Sequence, residues 1–254
     1  MITTQDVPLT FDDAAPRYDL MVSLNPGYHQ HLRSAAEALV ERLPAAADGS
    51  AAEPTAVRLL DLGCGSGAST KALVKAAQDG GRRPEVVGVD ASVGMLAQAR
   101  AKRWPVGTRF EHGYAQHLAA SRADWGLSEP VSGVMAAYLF RNVDERDEVL
   151  ADVSALLEDD GVLVVQEYSV AGRPVAQLIW TLVCWLVVIP LSLITSGRTV
   201  LYRYLWQSVR DFDSVQTFTD RLHAAGFVDV EVRTVAGWQR GILHTFRARK
   251  PPRG

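Results

Sequence analysis

Apolar and polar positions along the chain change period several times. From Val57 onward short apolar runs of four to seven residues alternate with stretches repeating every three to four positions. The runs predict strands at Val57–Leu60, Glu85–Val89, Arg109–Glu111, Val131–Ala137, Val162–Glu167, Val228–Thr234 and Ile242–Arg249. The helical periods fall at Ala68–Gln78, Val93–Lys102, Glu145–Leu157 and Ser214–Ala225. Upstream, residues from about Asp12 to Leu43 read as helical with a break at Asn25-Pro26-Gly27. Leu32, Ala35, Ala36, Leu39, Val40 and Leu43 form one apolar face there. Strands separated by helices imply a parallel sheet covered on both faces. Only Val235–Gly241 separates the last two strands, too little for a crossover, so they are expected to pair antiparallel at the sheet edge. The expected fold is α/β: a seven-stranded, mostly parallel, doubly wound, Rossmann-like sheet with its last strand antiparallel.

One domain is expected over 1–254. It divides into an N-terminal helical cap (1–55), a core (56–168), an apolar helical lid (169–212) and a C-terminal helix with edge hairpin (213–254). The lid stands out because Arg173 and Arg198 enclose no charged residue. Its length and hydropathy suit a membrane span. However, it lies between strands of one sheet, and Pro190 is expected to end its helix early. Two readings stay open, a buried core helix and a lid with a lipophilic inner face and an outer face toward a bilayer or a second subunit.

The first strand runs into a glycine-dense turn, Asp61-Leu62-Gly63-Cys64-Gly65-Ser66-Gly67, followed by a helix. Glycine permits positive φ and close ligand approach, and a helix N-terminus offers free N–H groups. The next strand ends in Asp90, a carboxylate suited to ribose hydroxyls. The net charge of −3 comes with no basic block, which argues against nucleic acid. Two cysteines, Cys64 and Cys184, suggest neither a disulfide framework nor a metal site, so a reducing cytoplasm is expected, with peripheral membrane contact through 175–194 and a homodimer as further expectations. Met1–Thr10 is polar and does not read as a signal peptide.

Asp-x-Gly-x-Gly-x-Gly resembles motif I of the class I S-adenosylmethionine methyltransferases. Three further stretches resemble the ubiquinone/menaquinone biosynthesis C-methyltransferases: Phe11-Asp12-Asp13-Ala14-Ala15-Pro16-Arg17-Tyr18-Asp19, Phe140-Arg141-Asn142-Val143, and Tyr202-Arg203-Tyr204-Leu205 followed by Ser208-Val209-Arg210. The resemblance covers about Phe11 to Phe246 and implies S-adenosyl-L-methionine (SAM) as cofactor. It places Tyr18, Asp61, Gly63, Cys64, Gly65, Gly67, Asp90, Ala91, Met95, Ala115, Gln116 and Ala137 around SAM. Where the family carries an Asp or Asn for the adenine amino group, this chain has Tyr114, so adenine is expected against the backbone near Ala115 and the Gln116 amide. The apolar lid is also more hydrophobic than the family's norm.

The implied reaction is methyl transfer to a lipophilic small molecule, best a quinol or phenol ring. Carbon methylation needs a neighbouring hydroxyl deprotonated, and the resemblance gives Arg141 the role of stabilising that anion. The alternative for Arg141 is an ion pair with Asp144 or Asp147. Tyr28 and His29 are further catalytic candidates, with His31 and His112 weighed as nearby histidines. Tyr138, Arg141, Trp180, Tyr202, Tyr204 and Trp206 are the candidate acceptor-binding residues. O- or N-methylation of a hydrophobic phenolic metabolite is the alternative chemistry. A non-catalytic, membrane-associated SAM-binding protein is the alternative of another class.

Overall fold

The computed structural model describes residues 8–12, 15, 27–43, 55–195 and 199–252. Tyr18 and Asp19 lie outside the described residues. Helix α1 (Tyr28–Val40) is followed by β1 (Thr55–Leu62), α2 (Ala68–Asp79), β2 (Arg82–Asp90), α3 (Val93–Arg100) and β3 (Thr108–His112). Then come α4 (Leu118–Ser121), β4 (Val131–Ala137), α5 (Arg146–Leu156) and β5 (Leu157–Tyr168). The lid comprises α6 (Pro174–Val183), a π turn (Cys184–Val188), α7 (Ile189–Thr195) and α8 (Val200–Asp211); α9 (Val215–Ala224), β6 (Val228–Thr234) and β7 (Leu243–Arg249) close the chain.

The seven strands form one sheet in the order β3-β2-β1-β4-β5-β7-β6. The five from β3 to β5 are parallel, and β7 runs antiparallel to both β5 and β6. The strand order reverses direction between β1 and β4, which opens a crevice at their C-terminal ends.

Alternation within the strands sorts the core into two faces. Leu59, Val86, Met135 and Val164 pack under α1 and α2. Leu60, Leu62, Val87, Val134 and Leu163 face the other way with Val149, Val153 and Phe218. A strand covered on both sides reads as a continuous apolar run, which is why these were legible in sequence.

The lid departs from expectation at Pro190. The helix does not stop there. Ile189 N–H donates to the Cys184 carbonyl, an i→i+5 bond that widens the turn just before the proline and carries the helix past it. Pro174–Leu193 is consequently one run of 20 residues, long and apolar enough by length and composition to cross a membrane, with a mean hydropathy of 2.0. The strands before and after it in the chain, β5 and β6, belong to the same sheet, and its inner side is anchored there. Trp180 and Cys184 pack against Tyr168, Val209 and Leu243. The outer side is exposed: Val175, Leu178, Leu182, Leu186 and Leu193 all face solvent, Leu186 at 70%. The inner stripe is thus buried as a core helix would be and does not line the cleft, while the outer face is apolar and exposed.

Gly88 in β2 holds the cofactor-side strands together. A Cβ there would stand 2.8 Å from Phe110 Cδ1 and 3.0 Å from Cys64 Sγ. Overpacking of this kind costs about 1–3 kcal/mol. Gly88→Ala is expected to lower unfolding free energy by about that amount, measured by urea denaturation.

Candidate active site

The crevice opens above the C-terminal ends of β1, β2 and β4. Its wall includes Gly63, Cys64, Gly65, Asp90, Ala91, Met95, Ala115, Gln116 and Ala137, together with Tyr28, Tyr138 and Arg141. The glycine turn is its floor. Gly63 and Gly65 have φ of 77° and 53°. A Cβ on Gly63 would lie 3.0 Å from Leu139 Cδ1, and one on Gly65 3.2 Å from Met95 Cε. Only glycine gives both the left-handed backbone and the open floor. Behind the turn, α2 begins with no side-chain cap, so the positive end of the helix faces the cleft region from Ala68 and Ser69.

Asp90 lines the cleft at the end of β2. Its Oδ2 accepts from Gly65 N–H at 2.7 Å and its Oδ1 from Ser92 N–H at 2.9 Å. Burial raises its pKa, while these two backbone N–H groups oppose the rise. Asp12 lies beside it. The Asp12 Oδ1 atom accepts from Ser92 Oγ at 2.5 Å and Gly94 N–H at 2.7 Å. The N-terminal segment thus docks on the start of α3, and Pro8 and Phe11 join the cleft wall.

Asp61 and Gly67 do not line the cleft; both lie beneath it. Asp61 is fully buried, and its Oδ2 accepts from Ser69 Oγ at 2.7 Å and Thr70 Oγ1 at 2.5 Å. It ties the end of β1 to the first turn of α2 and so fixes the floor from below. Gly67 packs on Trp104, which a Cβ would approach to 2.8 Å. The Cys64 thiol is packed with Leu96, Ala99 and Phe110, and burial pushes its pKa well up, so it is a packing group.

Arg141 is carried on the 3-10 turn Phe140–Asn142 at the end of β4. Its partner is neither Asp144 nor Asp147. Arg141 Nη1 donates to Glu167 Oε1 at 2.7 Å, and Arg141 N–H donates to Glu167 Oε2 at 3.3 Å. Asp147 accepts instead from Arg221, because α5 turns it away toward α9. Parallel pairing of β4 with β5 brings the ends of both strands together, which the spacing of Arg141 and Glu167 in sequence could not reveal. Removing one partner of such a buried pair costs about 3–5 kcal/mol.

Tyr138 is a bulky residue with φ of 60°. A left-handed tyrosine stores about 1–3 kcal/mol of strain, typical of functional positions. Gln166 holds it twice, donating from Nε2 to the Tyr138 hydroxyl at 3.0 Å and accepting Tyr138 N–H at its carbonyl at 2.8 Å. Its ring stacks on Tyr28 on one side and Tyr168 on the other, at centroid distances of 5.6 and 5.2 Å. Burial raises the Tyr138 phenol pKa well above its usual value.

The remaining candidates fall outside the cleft. His29 is exposed and meets the edge of Tyr28, because the helix turns it outward. His112 bridges to the Ala91 carbonyl at 3.1 Å. Trp180 is buried in the lid, donating to the Trp206 carbonyl at 3.3 Å, and Trp206 donates to Thr181 Oγ1 at 3.2 Å. Tyr202 does not line the cleft either; α8 faces it elsewhere. Tyr204 reaches the site indirectly, donating from its hydroxyl to Asn142 Oδ1 at 3.1 Å. Tyr114 does line the cleft beside Ala115 and Gln116. Sequence reasoning missed Glu167, Gln166 and the docking role of Asp12. An acid closing an apolar strand, as Glu167 does, was the available signal.

Asp61 allows a test of the buried floor. Burial raises its pKa from 3.8 to about 6. The folded protein therefore holds this proton more tightly than the unfolded chain. Stability from that proton is complete below about pH 4 and is lost as pH rises through about 6. Asp61→Asn cannot ionise, so its stability relative to wild type should climb by about 2–3 kcal/mol across that window and level off above it. Urea denaturation at a series of pH values reads this out; a constant difference would contradict it.

The residues at the cleft fit SAM. Gly63 and Gly65 provide a floor that a Cβ would fill, Asp90 stands ready for a diol, and Asp61 Oδ1 is a buried oxygen with no hydrogen-bond partner beneath the turn. Comparisons with known proteins agree. The model of the ubiE/COQ5 methyltransferase family matches residues 1–250. A ubiquinone/menaquinone biosynthesis C-methyltransferase of Syntrophotalea carbinolica is 32% identical over 236 residues, covering 92% of this chain and 90% of that protein. A demethylmenaquinone methyltransferase of Lactiplantibacillus plantarum is 29% identical over 225 residues, covering 87% and 86%. In fold, the chain is similar to a putative methyltransferase of Haloferax volcanii, solved with the activator Trm112, with a TM-score of 0.61, 15% identity, and coverage of 95% and 97%. This chain is a SAM-dependent methyltransferase and belongs to the ubiE/COQ5 methyltransferase family.

Proposed function

We propose that this enzyme methylates a ring carbon of a lipophilic quinol in quinone biosynthesis, working at a membrane surface. The placement of Arg141 carries the reading: a permanent cation on the cleft wall, beside the aromatic Tyr28–Tyr138 stack. The names of its relatives, demethylmenaquinone methyltransferase and ubiquinone/menaquinone biosynthesis C-methyltransferase, point the same way.

SAM supplies a sulfonium-activated methyl group. The protein's work is alignment, exclusion of water and control of charge on the acceptor. A ring carbon becomes nucleophilic when the adjacent hydroxyl gives up its proton. Arg141 remains charged at working pH, so it cannot take that proton, but it stabilises the phenolate that is left. Water carries the proton away. SAM, held by Gly63, Gly65 and Asp90, would supply the methyl group to that ring carbon and would keep the sulfur–carbon electron pair as a thioether. Loss of the ring hydrogen as a proton and return of a proton to the oxygen restore the aromatic ring, for one proton released overall. Tyr28 and Tyr138 line the cleft beside Arg141 and give that wall an aromatic, apolar character suited to a ring. No histidine lines the cleft among the described residues, which leaves the O-methylation reading without its base.

The lid's outer face suits the bilayer in which a lipophilic quinol dissolves. Its exposed leucines are accompanied by Trp185, with Arg203 5.8 Å from that ring, and Arg210 lies 4.8 Å from the Trp206 ring. Apolar side chains flanked by tryptophan and arginine match an interfacial helix on anionic lipid. With both free cysteines buried, the reading is a protein of a reducing cytoplasm, peripheral on its membrane.

Purified protein given SAM and demethylated isoprenoid hydroquinones should yield the ring-methylated product by mass spectrometry; a product methylated on oxygen would overturn the reading. Arg141→Lys, which keeps the charge but loses the planar fork, is expected to lower kcat by about 10–100-fold with SAM affinity unchanged by calorimetry. Leu182→Glu/Leu186→Glu should lose at least about ten-fold in sedimentation with anionic vesicles, since each leucine contributes about 1.5–3 kcal/mol when buried. Turnover of a short-chain, water-soluble hydroquinone should persist. A loss of self-association in place of vesicle binding would assign the face to a second copy.

A further inference from the structure

Glu167 has no part in the reading above, yet its placement is unusual. It is fully buried at the end of β5, one strand away from the cleft wall. Three donors converge on its carboxylate: Arg141 Nη1 at 2.7 Å and Tyr168 N–H at 2.9 Å on Oε1, and Arg141 N–H at 3.3 Å on Oε2. Two of these come from one residue. A carboxylate bonded to both the backbone and the guanidinium of Arg141 fixes that side chain relative to its own main chain, removing the rotamer freedom a long arginine otherwise keeps.

A buried ion pair is a poor device for stability alone, because apolar residues of equal volume do as well or better. Here one end of the pair is sealed and the other opens on the cleft. The Glu167 side chain is 0% exposed, while the Arg141 side chain is 7% exposed and Arg141 lines the wall. Around them stand phenols. The Arg141 guanidinium carbon lies 5.7 Å from the Tyr138 ring centre, and Tyr204 reaches in from α8, with Asp144 and Arg146 further along the turn. Tyr28 and Tyr168 flank Tyr138, and His244 on β7 is paired opposite Glu167.

We propose that Glu167 is a positioning residue that holds Arg141 at the cleft wall and, through its negative charge, limits how strongly that guanidinium draws the acceptor hydroxyl into its anionic form. This rests on the quinol reading. With Glu167 present, the pair is nearly neutral as seen from the cleft, so the bound phenolate keeps enough basicity to be a competent carbon nucleophile. Without that charge, Arg141 would act as a bare cation. The acceptor would ionise at lower pH and react more slowly once ionised.

The test compares wild type, Glu167→Gln and Glu167→Asp by the pH profile of kcat/KM with a water-soluble demethylated hydroquinone. Glu167→Gln keeps the shape and removes the charge. Its acidic limb should move to lower pH by about one unit, and kcat on the plateau should fall about 10–100-fold. Its affinity for S-adenosylhomocysteine, measured by calorimetry, should stay within about two-fold, since no Glu167 atom lines the cleft. Glu167→Asp keeps the charge and withdraws it by one methylene; its limb should match wild type while kcat falls. A Glu167→Gln limb superimposed on wild type would overturn the proposal, whatever happens to the rate, because loss of packing alone lowers amplitude and leaves the limb in place. Equal limb shifts in both variants would overturn it too. Should Glu167→Gln fail to fold, Glu167→Asp decides by its rate, with wild-type kcat counting against positioning. Failure of the wild type to methylate any hydroquinone would instead refute the quinol reading itself.

Discussion

Everything at this site depends on one buried carboxylate that lies beneath the cleft and does not line it. Asp61 closes β1 at the point where the sheet changes direction, and it anchors Ser69 and Thr70 at the start of α2. Its burial raises its pKa to about 6, so it is held at a cost that a solvent-exposed acid would not incur. What that cost secures is geometry. The glycine turn is suspended between β1 and α2, and both ends of the suspension meet at this side chain. Gly65 N–H can then reach Asp90 across the floor, and β2 joins β1 at the height the cleft needs.

The opposite wall is built on the same logic with different chemistry. Tyr138 takes a left-handed backbone, and Gln166 and two neighbouring tyrosine rings hold it there. Three residues further on, Arg141 is clamped by Glu167. Both holding residues are adjacent on β5, and both reach across to the turn that follows β4. The parallel pairing of these strands thus converts one dipeptide, Gln166-Glu167, into the support for the Tyr138–Arg141 wall. The lid joins this wall through the Tyr204–Asn142 hydrogen bond and through the tilted ring contact of Tyr168 with Trp180, at 5.0 Å between ring centres. An apolar face outside and an aromatic ladder inside place the exposed surface of the lid in mechanical contact with the Tyr138–Arg141 wall of the cleft.

Much of this was legible before any coordinates. Continuous apolar runs and helical periods gave the strands and helices because residues buried on both faces of a parallel sheet leave that imprint locally. Motif I and Asp90 marked the cofactor cleft for the same reason: positive φ, close approach and a carboxylate at a strand end are demands made on particular residue types. The sequence by itself also determined that the lid is apolar and uncharged. What it did not determine are contacts between residues distant along the chain. Arg141 reads as a partner for nearby Asp144 or Asp147, yet sheet register brings Glu167 to it from 26 positions away. Asp61 reads as a cofactor ligand, yet the direction of its side chain puts it under the floor. Trp180 and Trp206 read as pocket residues, yet they pack on each other within the lid. Pro190 reads as a stop, yet a π turn carries the helix through. Residue type and period are local properties, and the chain states them outright; which face a side chain takes, and which distant group meets it, exists only once the sheet has closed.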